Sequence, residues 1–381
     1  MSNRSDWDVV VIGGGIAGLC SAYYLALRGK RVAVIEAGAV GAQASGVNFG
    51  GLRTNGRAEA ELPLSVRARS EWRKIEALIG ERCDVEFTGH VEIADRPDHM
   101  ASLETWAKMA EGYGVKPLLL SAAATKRRFP WIGSEVLGGC FVADDGAANP
   151  RLVAPNFALA ARTLGARICE FNPVRTVSHD GEHFIVETEN SGVLRGINLV
   201  NASGAWGGRL AAQLGETFPL DVMAPQMVVS EPFPLTVTST VDYPVNGRFF
   251  YARQIDRGNL LFGRGPGRAD LDSRRAQYVP QNAFDAARIA MDVLPFLRGR
   301  SFIRTWSGVE GKTADSLPFL GRSRSHPGLI HAFGFSGHGF QLGPGVGLVV
   351  AELIVDGKTA TQIDACNPYR FEKGQESSDA A

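Results

Sequence analysis

Apolar residues in the first forty positions fall into three blocks of different period. Asp8 to Ile12 is an unbroken β-branched run, the pattern of a parallel strand buried on both faces. Ile16 to Arg28 carries Ala, Leu and Tyr at helical spacing and ends near Gly29, and Arg31 to Glu36 is a second β-branched strand that closes on an acid. Ile197 to Asn201 and Leu329 to Phe333 repeat the strand pattern, each running into a small-residue turn. Between them the period changes to two. Arg248 to Ala252 and Asn259 to Phe262 are aromatic-rich and alternating, and the turn-like Asp256-Arg-Gly258 joins them, which predicts antiparallel hairpins. The most apolar helical stretch, Val346 to Val355, is far shorter than the ~20 residues a bilayer-spanning helix requires, so no membrane insertion is expected.

Composition changes this picture mainly through glycine. The chain holds 45 glycines in 381 residues, well above the usual ~7%. They cluster at Gly13 to Gly18, Gly46 to Gly56, Gly204 to Gly208, Gly263 to Gly267 and Gly334 to Gly347. Glycine lets a backbone approach a ligand closely, so separated clusters suggest one large ligand touched by several loops; ordinary tight turns are the alternative. Lys plus Arg and Asp plus Glu both count 40. That balance gives no reason to expect nucleic acid or an anionic membrane, and a small-molecule ligand fits better. The five cysteines (Cys20, Cys83, Cys140, Cys169, Cys366) are scattered, with neither a C-x-x-C pair nor a metal-binding spacing, and read as reduced structural thiols. Met1 to Trp7 is polar and lacks the pattern of a secretory signal, so a cytoplasmic location is expected.

The first strand ends on Gly13-Gly-Gly-Ile-Ala-Gly18, which satisfies G-x-G-x-x-G, and Glu36 follows Gly18 by 18 residues, close to the ~20 expected of a carboxylate that binds a ribose hydroxyl. The geometry demands these types. Gly13 makes the tight turn, Gly15 lets the backbone reach a pyrophosphate, and Gly18 lets the helix pack on the strand, while the helix amides face the phosphates. Glu36 repels a 2′-phosphate, which disfavours NADP. The motif alone leaves FAD and NAD both open.

Four further motifs narrow the choice. Asp145-Gly-Ala-Ala-Asn-Pro150, Leu164-Gly-Ala-Arg-Ile168, Asn201-Ala-Ser-Gly-Ala-Trp206 and Gly334-Phe-Ser-Gly-His-Gly-Phe-Gln341 occur in this order. Across residues 6 to 365 the chain resembles the family of D-amino acid oxidase, glycine oxidase and sarcosine oxidase. The ending from Gln341 to Gly347 looks most like flavin subunits of bacterial sarcosine, proline and opine dehydrogenases. The resemblance implies an α/β plus α+β fold: a Rossmann-like FAD-binding domain of residues 1–85, 145–212 and 305–372, with a discontinuous antiparallel-sheet substrate domain of residues 86–144 and 213–304. A polar tail, 373–381, follows.

The resemblance also implies site residues. Gly13, Gly15, Ile16, Ala17, Gly18 and Glu36 match the ADP-binding part, Ala44 and Ser45 a loop reaching the pyrophosphate, and Val174 a residue whose main chain meets the adenine. Ala202 and Gly204 match a turn passing close to the cofactor. Gly334, Gly337, Gly339, Phe340 and Gln341 match the segment beside the flavin ring, followed by a helix from near Gly345 whose amino end faces the reduced flavin. Relatives that attach flavin covalently carry Cys before Asp315 or His after Ser45. Here stand Trp306-Ser-Gly-Val-Glu310 and Asn48, so FAD is expected to bind non-covalently.

Such enzymes oxidise a carbon bearing nitrogen: hydride passes to the flavin and the amine becomes an imine. The substrate implied is an amine or amino acid, in particular an N-substituted one. Arg53, Tyr251, His338 and Gln341 are the candidate substrate-side and catalytic residues. Each also has an ordinary structural reading: a surface ion pair for Arg53, a core position for Tyr251, a satisfied histidine for His338. Gln341 stands in place of a Lys, and Glu310 lies near an Arg of some relatives, so specificity for glycine, sarcosine or D-amino acids does not simply transfer. Leu261 occupies the place of a Lys that promotes oxygen reduction, which points to another electron acceptor, although Arg264 or Lys312 could supply the charge. The resemblance leaves room for a partner subunit of a heteromeric dehydrogenase. Two other readings stay open at this stage, a nicotinamide-dependent dehydrogenase and a non-catalytic flavoprotein.

Overall fold

The computed structural model describes residues 6–133, 136–245 and 248–372; Met1 to Ser5 of the polar amino terminus and the expected tail 373–381 lie outside them. At its centre is the strand Asp6–Ile12, which pairs in parallel with Val32–Ile35 on one side and Val193–Asn201 on the other. Arg167–Cys169 extends the sheet beyond Val32–Ile35, and Leu329–Phe333 and then Phe319–Arg322 extend it beyond Val193–Asn201. The unbroken apolar runs follow from this position. Val9, Val10 and Val11 all have 0% exposure, because the strand is covered on both faces.

On one face lies the helix Ile16–Leu27, buried on nearly every side. It packs against Gly339–Val355, and the approach is close enough that a Cβ at Gly347 would sit 2.6 Å from Cys20 and one at Gly343 would sit 2.6 Å from Ile16. Two helices that meet the strand ends side by side therefore bring two amino termini to one region. The second of them starts at Gly339 and not near Gly345. Leu342 already donates to the His338 carbonyl at 3.2 Å, so the ladder is under way before Pro344, which lacks an N–H.

A second sheet has the order Phe302–Ser307, Pro225–Pro232, Asn259–Pro266, Arg248–Gln254, Thr240–Val245, His90–Ala94, Gly138–Val142, Pro117–Ser121. Its pairs are antiparallel except Thr240–Val245 with His90–Ala94. The expected hairpin is present with longer arms, turned by Gly258 at φ +87°. Tyr251 lies opposite Gly263, and a Cβ at Gly263 would come within 2.3 Å of the Tyr251 hydroxyl oxygen, so the glycine makes room for the phenol across the strand. The helix Pro280–Val293 covers this sheet. The fold is thus α/β plus α+β. Segments 6–35, 167–201 and 319–333 feed the first sheet, and segments 90–142 and 225–307 feed the second.

Candidate active site and cofactor cavity

A cavity of about 680 Å³ opens along the ends of the parallel strands and continues to the start of the helix Gly339–Val355. One end is the dinucleotide fingerprint. Gly13 sits at φ +114°, and a Cβ there would fall 2.2 Å from the Ala202 carbonyl oxygen. A Cβ at Gly18 would fall 2.0 Å from the Gly13 carbonyl, which is the close helix-to-strand contact expected of the third glycine. Gly15 differs: its φ is −77°, and a Cβ there meets only Ser45 Oγ, at 3.0 Å, and otherwise enters the cavity that Gly15 lines. The first intrahelical bond runs from Leu19 N–H to the Gly15 carbonyl, so the amides before it are orphans of the helix start. Ile16 N–H donates to Ser45 Oγ at 2.9 Å, and Ala17 lines the cavity.

Glu36 is held in place by the backbone. Gly14 N–H and Gly38 N–H donate to its two carboxylate oxygens at 2.6 and 2.7 Å, which leaves each oxygen a lone pair for a further donor. Ala44, Ser45, Val174, Ala202, Gly204, Gly334, Gly337, Gly339 and Phe340 also line the cavity. An FAD fits this set: a cradle that a Cβ would fill, a fixed carboxylate at the ribose end, and helix amides between.

The other end of the cavity is bounded by Val309, Glu310, Gly311 and the segment Gly334–Phe340. Next to it lies a cluster of charged groups. Asp145, which is fully buried, accepts hydrogen bonds from Thr54 N–H, Asn55 N–H and the Thr54 hydroxyl at 2.7 to 2.9 Å, and so holds the loop that carries Arg53. The Arg53 guanidinium donates to the Asn55 carbonyl at 2.5 Å, and its Nε lies 3.7 Å from Asp242. Tyr251 packs edge-on against Phe49, with centroids 5.2 Å apart. Burial raises its hydroxyl above the ordinary value, and the carboxylates of Asp242 and Glu310 raise it further, so it is a neutral donor. His338 Nδ1 lies 2.9 Å from Glu61, whose other oxygen is 3.4 Å from Arg57. Burial and the Arg57 guanidinium push the imidazole down to about 4, against the pull of Glu61, so His338 is uncharged at neutral pH.

Arg53, Tyr251 and His338 therefore lie beside this end of the cavity without lining it. Gln341 does not join them. Its side chain is buried, donates to the Ser65 carbonyl at 2.9 Å and accepts from the Ser65 hydroxyl at 3.0 Å. Successive helical residues are rotated by ~100°. Phe340 faces the cavity, so Gln341 turns to the helix Leu62–Trp72 and acts as a structural pin. Leu261 is also outside the lining, buried between Val229 and Arg253.

One wall of the cavity has no signal in the sequence. Leu271, Asp272 and Arg274 lie in the turn between Arg268–Asp270 and Arg275–Gln277, and they line the cavity with Trp206 and Arg209. Trp206 Nε1 donates to the Leu271 carbonyl at 2.9 Å, and Arg209 pairs with Asp272 at 2.5 Å. Asp270 accepts from Asp272 N–H at 2.9 Å and from the Ser273 hydroxyl at 2.8 Å, which makes a local turn. Nothing local says that this turn reaches a fingerprint more than 200 residues away.

The comparisons agree with this geometry. Residues 8–353 match the family described as FAD dependent oxidoreductase, and the chain belongs to that family. It is 27% identical to a glycine oxidase of Geobacillus kaustophilus, over 93% of this chain and 94% of that one, and 26% identical to one of the subunits of opine oxidase from Rhizobium meliloti, over 97% and 98%. Its fold matches the crystal structure of L-proline dehydrogenase from P. horikoshii with a TM-score of 0.90 and 29% identity, covering 97% of this chain and 98% of that one. The chain is thus an enzyme, an FAD-dependent oxidoreductase of the kind that acts on amino acids or amines. The nicotinamide-dependent alternative falls with this result. Among the described residues no helix is long and apolar enough to cross a membrane.

Proposed function

We propose that this enzyme oxidises the C–N bond of an amino acid or N-substituted amino acid to an imine, and that Arg53 and Tyr251 receive the substrate carboxylate. FAD, when bound, supplies the hydride acceptor. The observation that carries this reading is the placement of a guanidinium and a neutral phenol together at the flavin end, beside the cavity. Arg53 Nη1 donates to Asn55 and its Nε faces Asp242 at 3.7 Å, while among the described residues its Nη2 makes no hydrogen bond and is left for a carboxylate. The relatives named above, for glycine, opines and L-proline, support the same class of substrate. The Rhizobium relative is one chain of a larger assembly, which supports a partner chain here as well.

Anaerobic mixing with sarcosine, proline, glycine, D-amino acids and opines tests the reading: one of these amines should bleach the flavin. A protein that none of them bleaches is not an amine oxidoreductase. With the bleaching amine in hand, Arg53→Ala and Tyr251→Phe should each lower kcat/KM by ~10-fold or more, the loss expected from a charge-assisted hydrogen bond, and leave the flavin spectrum unchanged. Unaltered kinetics in both variants would return these residues to structural roles.

The FAD is proposed to be held without a covalent bond. All five cysteines are buried and none lines the cavity, while the Asn48 side chain staples its own loop by donating to the Ala44 and Ser45 carbonyls at 2.8 and 2.9 Å. Acid precipitation should release the yellow colour to the supernatant. Colour retained in the pellet would refute it.

A further inference from the structure

We propose that Glu310 binds the ammonium group of the substrate and takes a proton from it. This rests on the amine reading above. Glu310 opens the short strand Glu310–Lys312, opposite Met223 of the strand Asp221–Met223, and lines the flavin end of the cavity. Its Oε1 accepts from Gly337 N–H at 2.6 Å. Gly337 stands at φ +90°, and Ser336 N–H is tied to the Gly311 carbonyl at 3.0 Å, so the loop aims that amide at the carboxylate and fixes its orientation.

No cation pairs with this carboxylate, although Arg209 and Arg274 line the same cavity. Among the described residues no Lys, Arg or His forms an ion pair with Glu310, and Oε2 takes no hydrogen bond. From the strand Arg248–Gln254 the titratable neighbour is Tyr251, a neutral phenol, and beyond it stands Asp242, another carboxylate. From the strand Asp221–Met223 the facing residue is Met223. At the start of the helix Gly339–Val355, His338 is turned to Glu61. Lys312, two positions along the same strand, is exposed, and on the cavity rim Arg209 is paired with Asp272. Burial accordingly pushes the Glu310 carboxyl up to about 7, although the Gly337 amide opposes the rise.

A carboxylate without a cation in such a place is costly unless something else neutralises it. A structural latch for Gly337 would be served by an uncharged amide side chain. A ligand cation entering the cavity supplies the missing charge, and in this enzyme class that cation is the substrate's own ammonium. The proton transfer balances: one N–H bond of the ammonium breaks, an O–H bond forms on Glu310, and nitrogen regains its lone pair. The freed lone pair is what would form the C–N π bond, with FAD, when bound, supplying the acceptor for the Cα hydride and its two electrons. The proton on Glu310 passes to solvent once the product has left.

The test uses the FAD-loaded enzyme and two variants, Glu310→Gln and Glu310→Asp. Methylammonium chloride serves as a binding probe, followed anaerobically by perturbation of the flavin bands. Wild type should bind it at pH 8 at least ~10-fold more tightly than Glu310→Gln, the loss of one charge-assisted contact, and the wild-type affinity should fall as pH drops through about 7. With the bleaching amine, wild-type kcat/KM should rise with pH through about 7, since the ionised carboxylate is the competent form. In Glu310→Gln that rise should shift to the higher pH at which the free amine deprotonates, and Glu310→Asp should restore part of the wild-type profile. Equal methylammonium affinity and an unmoved pH profile in Glu310→Gln would overturn the proposal even though wild type is bleached. If no amine bleaches wild type, the fault lies with the functional reading instead. A Glu310→Gln protein that retains no FAD leaves Glu310→Asp to decide, by the same two readouts.

Discussion

Gly15→Val should fold and lose FAD, whereas Gly13→Val should lose the fold itself. The two glycines belong to one motif but meet different surroundings. At Gly13, φ is +114° and a Cβ would lie 2.2 Å from the Ala202 carbonyl oxygen, and Gly13 N–H and Ala202 N–H are both spent on the strand ends, donating to the Ile35 and Ile12 carbonyls at 2.9 Å. A branched side chain there is strained in its backbone and collides with the sheet. At Gly15 the backbone is extended, with φ −77° and ψ 177°, which any residue adopts. The only atom a Cβ meets is a serine hydroxyl that can rotate, so the protein should tolerate valine and the cavity should not.

Overpacking costs about 1–3 kcal/mol in a well-filled site. For Gly15→Val that corresponds to about 10- to 100-fold weaker FAD binding. Flavin occupancy after dialysis, with circular dichroism and a melting curve compared with wild-type apoprotein, separates the outcomes. A Gly15→Val protein that purifies fully yellow would refute the assignment. A Gly13→Val protein as stable as wild-type apoprotein would remove the distinction between the two positions.

The cofactor end is readable from sequence because its determinants are close together in the chain. Strand, glycine triplet, helix and terminal acid lie within 29 residues of Asp8, and backbone geometry fixes what each must do. The flavin end is readable only in part. Val309 and Glu310 line the cavity through a two-strand pairing with Asp221–Met223, a contact across nearly 90 residues. Gln341 is carried over with its motif, but its direction depends on where the helix begins, and a start at Gly339 turns its side chain to Ser65 and not to the cavity. Arg57 and Glu61 escape notice for another reason. In Gly56-Arg-Ala-Glu-Ala-Glu61 the charges look like a solvated surface, yet the Arg57 and Glu61 side chains are 3% and 0% exposed.

That buried pair carries the second large effect. Arg57→Met alone, or Glu61→Leu alone, should destabilise the holoenzyme by about 3–5 kcal/mol, the cost of leaving one buried charge without its partner. Glu61 stands between two groups. Burial opposes its ionisation, but Arg57 and His338 outweigh that and hold its carboxyl below the ordinary value. Burial also lowers the Arg57 guanidinium, to about 10, which leaves it charged at neutral pH. Its Nη1 has no hydrogen bond, and neither has Glu61 Oε2, so the pair is held by charge at 3.4 Å and not by ideal geometry. The double variant Arg57→Met/Glu61→Leu should therefore recover most of the lost stability, because both charges go together and apolar side chains of similar volume take their place. Urea unfolding of wild type and the three variants measures this cycle. In both proteins with Glu61→Leu, His338 loses its Nδ1 partner at the first turn of the helix Gly339–Val355, so the flavin bands should shift even where stability returns. Single variants that lose less than about 1 kcal/mol would place the pair with exposed salt bridges, and the cluster would not be what holds His338 at the flavin end.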